Sequence, residues 1–281
     1  MEETVKEGGE IRLEEGEALP PSLNPSLSFL ALGGAKEEAL KVASAFSCRA
    51  FCVEEAEENE GEAFLSPLPG GGEVIRLKKP KEAPLSHFLF PLLPEETSLV
   101  VFDPGKVEVK AEIYSMSCCY ITDIGSREVL KNFSLLKRAG AKAIDLSWLR
   151  SEKWRERLKA SLLSRLPAFF EVETGSLDAL SLILAGWARE EFSIPARFRQ
   201  ASSYSSSVCS VTLGDVGWKI CLREEDEGKA FEVEEGQRIF KAPKGKEERG
   251  DLLVRQVELL YPDPLYFKCL DFEVQGAKDV G

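Results

Sequence analysis

One pattern recurs between residues 98 and 184: a short apolar run, a turn, then ten to fifteen residues with apolar positions three and four apart. The runs are SLVVFD (98–103), CCYITD (118–123), KAIDL (142–146) and AFFEV (168–172). Helical spacing follows them. A helix is expected over 106–116, and another opens at Ser126, which suits an N-cap. SEKWRERLKASLLSRL places Trp154, Leu158 and Leu162 on one face, and SLDALSLILAGWA does the same with Leu177, Leu180, Leu184 and Trp187. Each crossover helix must bury its stripe on the sheet, so the pattern predicts an α/β fold with a mostly parallel sheet and helices on both faces.

The same grammar starts earlier. LSFLAL (27–32) is an apolar run stopped by Gly33-Gly34, and AKEEALKVASAF then sets Ala39, Val42, Ala43 and Phe46 at helical spacing. Residues 63–77 read as two short strands around a Pro/Gly turn, and LSHFLFPLL (85–93) as a short apolar helix or turn. The pattern changes at SSYSSSVCS (202–210). From there to Val274 short runs such as VCSVTL, GWKICL, QRIFKA, LLVRQVELL and LYFKCLDFEV alternate with charged turns, which suits a small antiparallel β-barrel domain. The expected organisation is an acidic flexible arm and proline-rich linker over 1–26, an α/β domain over 27–200 and a β-barrel domain over 201–281.

Composition narrows the function classes. Apolar residues make up 43% of the 281, enough for a sizeable core. The net charge is −12, and two Glu-rich stretches, 1–18 and 54–62, account for −11 of it. Both read as solvated arms, and neither could bind phosphate itself. A single histidine, His87, excludes a histidine-cluster metal site and is assigned to packing or capping. Seven cysteines, odd in number and irregular in spacing, read as structural thiols. No apolar stretch approaches the roughly 20 residues that span a bilayer. The N-terminal MEETVKEGGE is acidic where a secretory leader would be basic and then apolar, so a cytoplasmic protein without membrane contact is expected.

The glycine turn after the first strand stands where a phosphate loop would stand. A phosphate loop needs a second Gly, then Lys, then Ser/Thr, five, six and seven residues after its first Gly. Counted from Gly33, the positions from the fifth onward hold Glu38, Ala39 and Leu40, and Lys36 is out of register. Gly33, Gly34 and Lys36 therefore form a vestigial loop. Asp103 in FDPG (102–105) is assigned to a proline-glycine turn. Asp123 and Asp145 also follow strands, at the edge where α/β ligands bind.

In order, these pieces resemble a translational GTPase of the elongation factor Tu class, and within it the archaeal relatives of the selenocysteine-specific elongation factor. FLALGGAKEEALKVASAF resembles its strand, phosphate loop and first helix. FFEVETGSLDALSLIL, with Thr174, Gly175, Asp178 and Leu180, resembles its last guanine-contacting segment, and RIFKAPKGKEERGDLLVRQVELLYPDP its second-domain barrel. TDIG (122–125) and IDLSW (144–148) lack the Asn and Lys of the guanine-reading motif. The resemblance implies a P-loop GTPase-like fold that has lost its nucleotide motifs: a non-catalytic scaffold with no cofactor, no metal and no catalytic residue. Its expected partner is a protein or ribonucleoprotein, with direct RNA contact through Lys241, Lys244, Lys246 and Arg249. Two rival readings remain: a divergent P-loop-like NTPase or kinase using Lys36, Asp103 and Asp123, and an assembly chaperone of the proteasome-assembly type.

Overall fold

A computed structural model describes residues 11–13, 19, 22–56, 61–105, 111–130, 142–162, 165–201, 208–225, 229–245 and 247–270. The chain is an α/β protein with two sheets, one of eight strands and mostly parallel, the other of six and mostly antiparallel. It divides into two compact units. The first comprises residues 1–123 and 249–262, the second 124–248 and 263–281.

The first unit holds strands β1 (Ile11–Leu13), β2 (Asn24–Ala31), β3 (Cys48–Ala56), β4 (Glu62–Pro67), β5 (Glu73–Pro80), β6 (Ser98–Asp103) and β7 (Cys119–Thr122). Helices α1 (Lys36–Phe46), α2 (Leu85–Leu89) and α3 (Ala111–Met116) lie between them. Strand order is β1-β4-β5-β3-β2-β6-β7, parallel from β5 to β7. Phe29 to Ala31, Ala50 to Cys52 and Val100 to Phe102 are buried without interruption. Unbroken burial is the mark of a sheet covered on both faces. The five parallel strands β2, β3, β5, β6 and β7, numbered one to five in chain order, stand in the order 3-2-1-4-5.

The second unit holds β8 (Ala143–Asp145), β9 (Phe169–Thr174), β10 (Ala196–Gln200), β11 (Val208–Asp215), β12 (Trp218–Glu225), β13 (Ala230–Glu235) and β14 (Arg238–Pro243), with α4 (Ser147–Leu162) and α5 (Ala179–Phe192). Its sheet runs β10-β9-β11-β12-β13-β14. Here burial alternates. Phe170, Val172, Val211, Leu213, Leu222 and Val233 are fully buried, while Glu171 and Glu232 between them are half-exposed. Trp154 of α4 packs edge-on against Phe231, and Trp187 of α5 against Phe170.

Four expectations are corrected. The sheet order runs from β10 to β14 without closing, so the described residues form an open sheet and no barrel. The break expected at 200/201 falls inside this sheet, because β9 pairs with both β10 and β11. LLVRQVELL and LYFKCL are helices, α6 (Arg249–Leu259) and α7 (Pro264–Leu270), not strands. Leu252, Leu253, Gln256 and Val257 are the buried positions of α6, a helical spacing that an all-strand reading of this region overrode. The arm expected over 1–26 includes β1, paired antiparallel with β4 and tied by an Arg12–Glu62 ion pair of 3.0 Å, and the start of β2, from Asn24 to Ser26. The rest of 1–18 lies outside the described residues, as do 106–110 of the third expected helix and 131–141 of the fourth. That fourth helix opens at Arg127, and Ser126 Oγ accepts the Val129 N–H at 3.3 Å, as an N-cap does.

Candidate functional site

Beyond β2 the chain steps to β3 on one side, and beyond β6 to β7 on the other. Right-handed crossovers then leave these adjacent strands on opposite faces, and a crevice opens outside their carboxyl ends. A cavity of about 370 Å³ occupies it. Its walls are Leu32, Gly33 and Gly34 after β2, Val53, Glu54 and Glu55 at the tip of β3, Lys79 and Leu85 around the end of β5, and Asp103 and Gly105 at the end of β6.

The glycine turn is built for φ > 0. Gly33 and Gly34 have φ of +64° and +75°, and a Cβ on either would meet nothing within 4 Å. Conformation requires the glycines, and the space above them is open. Leu32 N–H donates to Phe102 O at 2.9 Å and Gly34 N–H to Val53 O at 3.2 Å, which fastens the turn to both neighbouring strands. α1 starts at Lys36 with no side-chain cap. In its first turn Lys36 N–H donates to Gly34 O at 2.7 Å and Ala39 N–H to Ala35 O at 3.2 Å, which leaves the N–H groups of Glu37 and Glu38 without an intrahelical acceptor, and such groups attract anions.

Carboxylates rim the crevice. Glu54 and Glu55 end β3, Glu54 half-buried and Glu55 exposed. Asp103 is 2% exposed; one oxygen accepts the Tyr120 hydroxyl at 2.8 Å and the other the Gly105 N–H at 3.3 Å. The turn expected of FDPG is present, and its aspartate also lines the cavity. Lys79, 4% exposed, gives its ammonium to three carbonyls, those of Pro80, Lys81 and Ala83, at 3.0–3.2 Å. It ties down the loop between β5 and α2.

The other sequence candidates have local roles. Asp145 is fully buried and accepts the N–H groups of Ser147, Ile124 and Gly125. Asp178 caps α5 by accepting Ser181 N–H at 2.8 Å, and burial pushes its carboxyl up from the ordinary range. Thr174 Oγ1 donates to Ser176 O. The segment compared with a guanine-contacting loop is thus a strand, a hydroxyl-stabilised turn and a capped helix, a combination that many α/β connections share. His87 is exposed on α2. None of the seven cysteines forms a disulfide, and no group of three or more His, Cys, Asp or Glu among the described residues could hold a metal.

The basic quartet does not stand as four open cations. Lys241 pairs with Glu225 at 2.7 Å, Lys244 with Glu224 at 2.8 Å, and Arg249 with Asp123 at 2.7 Å and Glu38 at 3.2 Å; Lys246 lies outside the described residues. Glu38, which in sequence disarms the phosphate loop, is drawn to Arg249.

The reading along the chain missed Glu54 and Glu55 as site residues by assigning 54–62 to a solvated arm. In the structure β3 runs to Ala56 and β4 starts at Glu62, with 57–60 outside the described residues. The available signal was spacing: Glu54 follows Gly33 by 21 residues and ends an apolar run.

An order of 3-2-1-4-5 with a glycine turn after the first strand decides the fold class. The fold is Rossmann-like. No family model and no curated protein matches the chain. Among solved structures, a biliverdin reductase from Synechocystis sp. PCC 6803, in complex with biliverdin and NADP+, superposes with a TM-score of 0.51 at 10% identity, over 88% of this chain and 96% of that one. The 3-ketoreductase KijD10 from Actinomadura kijaniata gives 0.48 at 10% identity over 87% and 93%, and the dehydrogenase MviM from Clostridium difficile 0.46 at 8% over 87% and 95%. Identities this low speak to fold alone, and the two scores below 0.5 carry no argument.

The resemblance to translational GTPases is overturned, since order, open second sheet and structural likeness all belong to the other fold. With it go the non-catalytic scaffold, the elongation-factor and translation reading, and the NTPase and proteasome-chaperone alternatives. No described helix is long and apolar enough to cross a membrane.

Proposed function

We propose that the chain is an oxidoreductase that binds a nicotinamide dinucleotide in the crevice between β2 and β6, and that it prefers the form without a 2′-phosphate. This replaces the expectation that no cofactor is bound. One juxtaposition carries the reading: an open, positive-φ glycine turn lies beside the carboxylates that end the next strand. In this fold an acid about 20 residues after the first glycine accepts the adenosine ribose hydroxyls.

The residues present fit the group. Leu32, Val53 and Leu85 offer an apolar wall to the adenine, Glu54 or Glu55 accepts the ribose diol, and the Gly33–Gly34 turn with the first turn of α1 faces the pyrophosphate. The usual fingerprint has three glycines, and here Ala35 and Glu38 replace the second and third. The second glycine lets backbone approach the pyrophosphate; at that place Ala35, with φ of −71°, adds a single methyl, and Glu38 is turned to Arg249. When bound, the dinucleotide supplies or accepts a hydride. The biliverdin reductase that shares this fold holds NADP+, a ligand of the class proposed here.

Calorimetric titration tests the proposal. NADH is expected to bind in the micromolar range, NADPH about tenfold or more weakly because its phosphate meets the rim carboxylates, and GTP not at all. In the double variant Glu54→Gln/Glu55→Gln the gap between NADH and NADPH should shrink. A folded wild-type protein that ignores NADH, or prefers NADPH, refutes the assignment.

A further inference from the structure

Arg249 is the first residue of α6, the helix by which the chain returns to the first unit after more than a hundred residues elsewhere. Its guanidinium reaches back across 211 residues of sequence to Glu38 Oε1 at 3.2 Å, and it also donates to Asp123 Oδ2 at 2.7 Å. Glu38 belongs to the first turn of α1, and Asp123 directly follows β7. Their side chains are only 15% and 6% exposed, whereas that of Arg249 is 47% exposed. The cation thus covers two largely buried carboxylates. Hydrogen bonding, first to Asp123 and then to Glu38, raises the guanidinium's already high pKa.

Docking of α6 has other anchors. Leu252, Leu253 and Val257 are buried, and Asp251 pairs with Lys41 of α1 at 2.6 Å. The contact to Glu38 is therefore an addition to packing that stands without it.

A helix N-terminus carries about half a positive charge and attracts phosphate. A carboxylate in that first turn opposes the attraction. Glu37 is exposed, where water and salt screen it; Glu38 is mostly withdrawn from solvent and screened far less. We propose that Arg249 is a positioning residue for the dinucleotide: by holding Glu38 it removes an uncompensated negative charge from the turn that faces the phosphates. The proposal rests on the dinucleotide reading given above.

Calorimetry with NADH on the full chain tests it, with a melting curve to confirm that each variant is folded. Arg249→Gln should weaken binding by about tenfold. Adding Glu38→Gln to that variant should restore affinity to within about twofold of wild type, which a merely structural loss would not allow. Glu38→Gln alone should bind NADH at least as tightly as wild type. Asp251→Asn, which breaks the neighbouring α6–α1 pair, should leave affinity unchanged. The role of Arg249 is overturned if Arg249→Gln binds like wild type, if the double variant stays weak, if Glu38→Gln alone binds more weakly, or if Asp251→Asn is equally damaging. These results leave the dinucleotide reading intact, whereas a wild-type protein that binds no NADH sinks both.

Discussion

Cys48, Cys52, Cys119 and Cys269 are removed from water, and burial raises all four thiols: Cys48 and Cys269 from 9.0 to about 12, Cys52 to about 11, and Cys119 higher still. A thiol that binds its proton more tightly when folded stabilises the protein fully below the unfolded value, and that contribution is lost as pH rises through the folded value. The urea midpoint should therefore fall between pH 9 and pH 11, and Cys52→Ala should lessen the fall. At pH 8 a thiol reagent should label the half-buried Cys118 and Cys209 well before these four. The structural role expected of the cysteines follows from their place in strands and helices. Glu38 teaches the opposite lesson. Its position in the loop was legible, but its effect was not, because charge acts through the nearest counter-charge and Arg249 is remote in sequence.

Among elements, the crossing of α5 and α7 is the most exacting. Gly186 of α5 lies against the backbone of Cys269 in α7, so closely that a Cβ would overlap the carbonyl of that residue. Glycine in mid-helix ordinarily costs about 1 kcal/mol relative to alanine. Here backbone, which cannot swing aside, opposes the added methyl, and Gly186→Ala should give a net loss of about 1–3 kcal/mol in urea denaturation. An unchanged or higher midpoint would show that the helices can part without cost. Elements were the most legible level of this protein. The strands ending at Asp103, Thr122, Asp145 and Thr174 and the helices carrying Trp154 and Trp187 follow from period and capping. The failures lay in 249–270, where short apolar runs in a charged setting were read as strands. Gln256, a polar residue in a buried helical position with its amide toward Cys119, interrupts the apolar stripe that would have revealed α6.

For the molecule as a whole, a ligand that binds only the folded state stabilises it by about 2.7 kcal/mol at one hundred times its Kd. NADH at that excess should raise the melting temperature by several degrees while GTP leaves it in place, a result that separates the two fold readings without any assay of turnover. A shift with GTP and none with NADH would overturn the dinucleotide assignment. The alternation of strands and helices, the covered parallel sheet, the glycine turn and the acid 21 residues beyond it were all present in the sequence, because local periodicity records which residues must face a core. Strand order was not. Neighbouring parallel strands are chosen by how all the apolar faces are buried at once, and no single segment carries that information. Tertiary structure alone decided that β2 lies between β3 and β6, that the second sheet stays open, and that an arginine from near the chain's end stands over the first turn of its first helix.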